Sequence, residues 1–427
     1  MRAEISYRKW RPRLIAMKRD NCRLCKSRDL HKFLELGPQP LAGKFLTREQ
    51  LAEKEDYFPL GVHFCKNCAL VQVLDVVPKG KLFSQYLYAP HSVLSPHFTE
   101  YAKEITAEFG LNGKSLAVEI GSNIGMMLKP LKELCGVKAI GVEPAQNIAK
   151  MANEMGLETI NDFFTEKVAR GIAEKSGKAD IVVANNVFAH IDDLDEILRG
   201  IKALLKENGV FVFENHYLLD TVEKLQFDDI YHEHLCYYSL HPLIPFLGKY
   251  GLQVFDARRI KTHGGSIRVY CGNSERKVKA AVQELLEEEK KRGLDRLETY
   301  AEFGKKAWKR REELVKLLRS LKSEGKTIAG YGAPARGNTL LNYCKIGTDI
   351  LDYIVDDSPL RQGKFTPGTH IPITSVDRFR KENPDYALLL AYGGYTETII
   401  KKEDGFIKNG GKFIIPLPEV KVVGKTL

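Results

Sequence analysis

The sequence predicts an α/β protein in which two alternating β/α units follow a small metal-stapled module. Three observations carry that reading. Short apolar runs alternate with helix-length segments from Leu116 onward, and the first run ends on the glycine-bearing turn Gly121-Ser-Asn-Ile-Gly125. The same alternation restarts at Thr327-Ile-Ala-Gly-Tyr-Gly332. Ahead of both stand Cys22-Arg-Leu-Cys25 and Cys65-Lys-Asn-Cys68. A chain of 427 residues exceeds what one core supports, so about two to four domains are expected.

Composition narrows the partners. With 44% hydrophobic and 28% charged residues the chain reads as globular. Its net charge of +10 is spread along the sequence, with no basic block interleaved with aromatics, so no nucleic-acid partner is expected. A small acidic ligand such as a nucleotide sugar suits the same excess. Met1 to Arg19 is basic but holds no apolar run, so neither a secretory signal nor a membrane span is expected there, and no other stretch is long and apolar enough to span. Of eight cysteines, Cys135, Cys236, Cys271 and Cys344 are scattered and four are paired, a usage that points to metal chemistry in a reducing cytoplasm.

In chain order the first module is the zinc region. Two residues between cysteines let both thiolates reach one ion from a tight turn, so Cys22, Cys25, Cys65 and Cys68 are expected to close a structural Zn²⁺ site. Leu36-Gly-Pro-Gln-Pro-Leu-Ala-Gly-Lys-Phe45 reads as a turn-rich loop and Leu70 to Leu74 as a short strand. So small a region has little core, and the metal is expected to hold it together. Phe83 to Phe98 follows, with Tyr86, Tyr88, His91, Ser92 and Ser95, either a lid over a ligand or packing between domains.

The first β/α unit names a cofactor. Leu116 to Ile120 is a strand, the glycine turn follows, and a helix starts near Met126. A dinucleotide site would prefer G-x-G-x-x-G, which is absent. Glu119 two residues before Gly121, with Gly125 four later, is the S-adenosylmethionine pattern, with Asn123 in place of the usual middle glycine. Ala139 to Glu143 is the next strand, and its terminal Glu143 can accept both hydroxyls of a ribose. Asn161-Asp162-Phe163-Phe164 is expected to flank an adenine, and the strand Ala179 to Asn186, carrying Asn185, to close the pocket. His190 either touches the ligands or serves the structure. The strand Gly209 to Glu214 leads to the polar cluster Tyr231-His232-Glu233-His234, which combines a phenol, a carboxylate and two imidazoles, the equipment for taking a proton near neutral pH. A solvated loop or metal tract is the bland alternative. In an extended segment His232 and His234 point the same way, so the residues alone leave either as the base.

Asn273 to about Gly325 is charged and helical, as in Val278 to Leu294, and reads as connecting helices. In the second β/α unit Leu351 to Asp356, Tyr386 to Ala391 and, last, Lys412 to Pro416 are strands. Gly330, Gly332 and Gly337 with Arg336 are expected to cradle the diphosphate of a nucleotide at a helix start; close helix packing is the alternative.

Taken together the residues resemble, over nearly the full length, the S-adenosylmethionine-dependent nucleotide-sugar C-methyltransferases of deoxysugar biosynthesis. The matching motifs are the cysteine pairs with L-G-P-Q-P-L-A-G-K-F between them, E-I-G-S-N-I-G, Y-H-E-H, T-H-G-G-S-I-R-V-Y (Thr262 to Tyr270), Y-G-A-P-A-R-G-N-T-L-L-N-Y and P-G-T-H-I-P-I. The resemblance implies a Rossmann-like class I methyltransferase core between a small N-terminal zinc domain and a second Rossmann-like C-terminal α/β domain. Domains are expected at 1–80, 81–255 and 256–427. It further implies methyl transfer to a carbon beside the keto group of a nucleotide-linked sugar, dTDP-4-keto-6-deoxy in kind. His234 would be the base, Glu233 and Tyr231 would assist, and Tyr86, Tyr88, His190, Arg336 and Asn338 would meet the substrate. Arg336 stands where lysine is common, and Ala391-Tyr-Gly-Gly-Tyr lacks a usual tryptophan. A monomer is the expected state. O-methylation and a non-catalytic nucleotide-binding scaffold are the competing readings.

Overall fold

The computed structural model describes residues 17–83 and 95–424, so the expected ligand contacts Tyr86 and Tyr88, with His91 and Ser92, lie outside the described residues. The first sheet starts with β1 (Leu30–Gln39), β2 (Phe58–Cys65) and β3 (Val71–Val73), paired antiparallel. The loop expected from Leu36 is a strand as far as Gln39. Two register shifts, at Lys32/Leu34 and Glu35/Pro38, absorb Gly37 and Pro38 into the ladder.

The central sheet is built by alternation. In order come α1 (Pro96–Phe109), β4 (Leu116–Ile120), α2 (Leu128–Glu133), β5 (Lys138–Val142), α3 (Gln146–Glu154), β6 (Thr159–Ile160), α4 (Glu166–Ser176), β7 (Ala179–Asn185), α5 (Leu194–Leu204) and β8 (Leu205–His216). These five strands pair in parallel. Their apolar residues are buried on both faces, as helices on either side require. Local chemistry marks the ends: Pro96 opens α1, Gly110 closes it in the left-handed region, and Thr165 and Asp193 cap α4 and α5 through their side chains.

After β8 the chain makes β9 (Cys236–Tyr237), α6 (Leu240–Gly248), β10 (Gln253–Ile260) and β11 (Ser266–Gly272). Strands β10 and β11 join antiparallel to complete the order β10-β11-β8-β7-β4-β5-β6. The central sheet therefore runs to Gly272, across the boundary expected at 255/256. The strand order reverses at β4, where a doubly wound sheet opens its ligand crevice. The short β9 goes elsewhere: it pairs with β3 and makes the first sheet four-stranded, β9-β3-β2-β1.

Helices α7 (Ala280–Lys291) and α8 (Leu297–Ser323) lead to the third sheet. It contains β12 (Ile328–Tyr331), followed by α9 (Ala335–Cys344), then β13 (Ile354–Val355), β14 (Ile373–Thr374), β15 (Tyr386–Leu389), β16 (Lys412–Ile415) and β17 (Lys421–Val423). Its order is β14-β13-β12-β15-β16-β17. The Lys412 strand is not the last, because β17 adds antiparallel beside it. Along α8, Tyr300, Phe303, Ala307, Leu314, Leu318 and Leu321 form one buried stripe, which joins the first and third sheets in a single core. Among the described residues no helix is long and apolar enough to cross a membrane.

Close approach of α8 to β1 depends on Gly304, where a Cβ would stand 2.5 Å from the Phe33 carbonyl oxygen. Alanine in a helix interior ordinarily gains about 1 kcal/mol over glycine, but overpacking against backbone costs about 1 to 3 kcal/mol. Gly304→Ala should therefore lower the thermal midpoint; a midpoint at or above the native value would show that the helix can move aside.

Candidate active site and metal centre

The two cysteine knuckles repeat one conformation. Lys26 N donates to Cys22 O and Ala69 N to Cys65 O, and both residues, Lys26 and Ala69, have left-handed backbone at φ of 62° and 64°. The four sulfurs converge within 4.8 Å, with Cys22–Cys68 and Cys25–Cys65 each 3.5 Å apart. Tetrahedral zinc with bonds of about 2.3 Å sets its sulfurs roughly 3.8 Å apart, so the donor set fits a closed structural site. Arg23, between the cysteines and fully buried, donates to Val73 O at 2.6 Å and to Asp192 Oδ1 at 3.0 Å.

At the switch point of the central sheet Glu119 on β4 is buried, and its Oε1 accepts from Asn185 Nδ2 on β7 at 3.1 Å. Its Oε2 has no hydrogen-bond partner among the described residues. Burial, with the nearby Glu143 charge, pushes this carboxyl up to about 8. Glu143, just past β5, accepts from Asn123 N at 3.0 Å and Ala145 N at 2.9 Å and so holds the glycine turn. Asn123 sits at φ 49°, a left-handed position asparagine tolerates, which is how it replaces a glycine. Gly121 cannot be replaced so easily, since at φ 64° a Cβ would lie 2.2 Å from Val187 Cγ2. An orphan buried carboxyl oxygen beside a glycine-bearing turn fits the hydroxyl-bearing cofactor the motif predicts. Near the end of β6, Asp162 is exposed and accepts from Phe163 N at 2.7 Å, while Phe163 is half-buried beneath Lys79 Nζ. Phe164 turns into the core.

Tyr231 to His234 is a turn rather than an extended segment, with His234 N donating to Tyr231 O at 2.9 Å. Alternation therefore does not apply. His232 points to β2, its Nε2 donating to Pro59 O at 3.1 Å and its ring edge-on to Phe58. His234 lies in a different environment, with ring centroids 4.1 Å from Tyr231, 5.1 Å from His190 and 5.0 Å from His216. Its Nδ1 is 2.8 Å from Asp229 O; a carbonyl only accepts, so Nδ1 carries hydrogen and Nε2 keeps the lone pair. Burial holds His234 down at about 4, against the opposing charge of Asp229, so the ring is neutral at neutral pH. The Glu233 carboxylate approaches Gly43 of the zinc-region loop closely enough that a Cβ there would meet its Oε1 at 3.0 Å.

Two sequence expectations change. Arg336 does not stand open for a diphosphate: its guanidinium grips Asp228 at 2.8 and 2.9 Å and donates to Tyr392 Oη at 2.9 Å. Asn338 is buried and donates to Ala42 O at 2.7 Å. Both side chains tie the third sheet to its neighbours, since the partners lie 108 and 296 residues away. Sequence reasoning also passed over His216 and Asp229. His216 ends β8, and the rule that ligands gather at the carboxyl ends of parallel strands could have singled it out.

Family models match three consecutive regions: "Putative zinc binding domain" over residues 22–83, "Methyltransferase domain" over 96–257 and "C-methyltransferase C-terminal domain" over 261–418. The chain is 38% identical over 408 residues to C-methyltransferase NovU of Streptomyces niveus, covering 95% of this chain and 97% of that protein. The chain belongs to the C-methyltransferase family. The methyl donor of this C-methyltransferase is S-adenosylmethionine, and its four clustered thiolates form the zinc site. A more distant similarity reaches the ubiquinone biosynthesis O-methyltransferase of Bradyrhizobium sp. (strain ORS 278), at 30% identity over 146 residues, 32% of this chain and 54% of that one. Among solved structures, an S-adenosylmethionine-dependent methyltransferase from Clostridium acetobutylicum superimposes with TM-score 0.33 at 13% identity, over 42% of this chain and 91% of that one.

The raised Glu119 predicts a pH dependence of the cofactor-free enzyme. Between its unfolded value of 4.5 and its folded value of about 8, the folded chain keeps a proton that the unfolded chain has released, so stability falls as pH rises across that window. Glu119→Gln removes this contribution and should be more stable than the native enzyme at pH ~9, by on the order of a few kcal/mol. Parallel unfolding curves at pH ~5 and ~9 for both proteins check it; an unchanged difference contradicts it.

Proposed function

We propose that this enzyme methylates the carbon adjacent to the keto group of a nucleotide-linked sugar, dTDP-4-keto-6-deoxy in kind, through an enolate. The observation that carries the proposal is the buried neutral His234 whose Nε2 keeps its lone pair, beside a phenol and a carboxylate. A carbon that bears hydrogen is no nucleophile, so a positioned base is the part that C-methylation requires. S-adenosylmethionine supplies an electrophilic methyl group when bound.

His234 Nε2 takes the proton from the carbon beside the ketone. Tyr231 donates a hydrogen bond to the oxygen on which negative charge grows, an interaction that strengthens toward the transition state. Glu233 orients the sugar or the base, and His190, stacked near His234, lines the same space. On the cofactor side Glu119, Asn185 and Glu143 present acceptors, Gly121, Asn123 and Gly125 give the backbone close approach, and Asp162 and Phe163 border the adenine. Tyr86 and Tyr88 remain assigned to the substrate on the resemblance alone. A reducing cytoplasmic setting and a three-domain division belong to the same proposal, with the second boundary placed after β11 rather than at 255/256.

Two measurements test it together. With ¹³C-methyl donor and a dTDP-4-keto-6-deoxy sugar, product NMR should place the label on carbon rather than oxygen. In deuterium oxide, with S-adenosylhomocysteine in place of the donor, native enzyme should exchange the proton next to the ketone. His234→Ala should slow exchange about 10² to 10⁴-fold while cofactor binding persists; exchange at the native rate would place the base elsewhere.

A further inference from the structure

Behind His234 stands a carboxylate with a second imidazole on it. Asp229, 4% exposed, ends the short 3₁₀ turn Phe227–Asp229 and touches His234 twice. Its carbonyl takes the Nδ1 hydrogen at 2.8 Å, and its carboxylate Oδ2 lies 3.8 Å from the same nitrogen. On the other side Oδ2 is 2.6 Å from Nδ1 of His216, the last residue of β8. The His216 ring in turn meets His234 at 5.0 Å and His263 at 5.7 Å between centroids.

The groups facing Asp229 are His216 from β8, His234 and Tyr237 from its own segment, Arg336 from α9, and His190 and His263 beyond them. Burial works to raise the Asp229 carboxyl, yet His216, His234 and Arg336 hold it below the usual carboxylate range, so it is an anion in a dry pocket. A buried neutral imidazole that accepts a proton becomes a buried cation, and such a charge is costly unless an anion is already in place.

We propose that Asp229, steadied by His216, is the positioning residue for His234: its carbonyl fixes the tautomer that leaves Nε2 basic, and its carboxylate balances the charge the ring gains. The inference rests on His234 being the base. One proton leaves the sugar carbon for Nε2, the electron pair it leaves behind forms the bond to the incoming methyl group as the methyl–sulfur bond of the donor breaks with its pair left on sulfur, and the proton passes to solvent after transfer. Asp229 keeps its charge throughout and is not consumed. His216, Asp229 and His234 are also close enough together to chelate a cation. Use of the His234 Nδ1 hydrogen on a carbonyl favours the hydrogen-bonded arrangement instead.

The test uses the deuterium-exchange assay across pH on the full-length zinc-loaded enzyme, with cofactor binding by calorimetry and thermal midpoint alongside. Asp229→Asn keeps size and carbonyl but removes the anion. Exchange should fall about 10- to 10³-fold with cofactor binding unchanged, and the acid limb of the profile should move to lower pH, because loss of a neighbouring anion lowers an imidazole pKa. A role that is only structural would move neither the limb nor the rate in this isosteric variant. Should Asp229→Asn not fold, His216→Gln carries the test, with an expected loss of about 3- to 30-fold. A native rate and profile in the variant that folds overturns the inference, as does metal analysis finding more than one equivalent of zinc. His234→Ala separates the two assignments: if it is slow while Asp229→Asn is native, only the positioning role fails, and if it is itself native, the base assignment fails.

Discussion

The pairing of β9 with β3 is the constraint on which the site depends. Cys236 and Tyr237 lie directly after the Tyr231 to His234 turn, and they form the edge strand of the sheet that the cysteine knuckles terminate. Leu235 stitches the same point twice, donating to Ala189 O at 2.9 Å beside His190 and accepting from Val73 N at 3.0 Å. Its neighbour His234 is thereby suspended between the central sheet and the zinc-bound one. Arg23 reinforces the seam from inside the first knuckle, reaching both Val73 O and Asp192. The third sheet holds the segment from its other end through Arg336 on Asp228, and touches the zinc-region loop through Asn338 on Ala42. Three sheets thus converge on one short stretch of chain, and backbone hydrogen bonds in a dry interior give it little freedom.

Charge at the site follows from what each buried group is given to face. Glu119 has one amide and a carboxylate neighbour, and burial carries it up to about 8. Glu214 at the end of β8 is equally buried, yet His97, Arg268 and Thr262 outweigh burial and bring it down to about 2. Glu214 is satisfied by its neighbours, whereas Glu119 keeps one carboxyl oxygen without a hydrogen-bond partner among the described residues. His234 shows the same logic with opposite sign, since burial, helped by His216 and Arg336, outweighs Asp229 and keeps the basic side chain neutral.

Local features of the fold were legible because they leave local marks. Alternating apolar runs, the glycine turn and the cysteine spacing each report on residues near one another in sequence, and the central sheet and zinc cluster follow from them. What was not legible depends on distant pairing. A two-residue strand such as β9 has no periodicity of its own, and its placement in another sheet depends on a strand more than 160 residues earlier. Arg336 beside glycines looks like a diphosphate cradle until Asp228 is found in its fork. An extended segment would leave His232 and His234 on one face and indistinguishable; the turn at Tyr231 separates them. Gly37 and Pro38 signal a loop by composition, and only the partner strand reveals that bulges hold them in register.

The claim that zinc holds His234 in place through β9 is tested most directly by amide hydrogen exchange read peptide by peptide, with zinc bound and after its removal by a chelator. Removal should strip protection from β1, β2 and β3 and also from residues 231–238, while β4, β5 and β7 stay protected and S-adenosylhomocysteine still binds. Unchanged protection at residues 235–237 in zinc-free protein whose first sheet has opened would contradict the account.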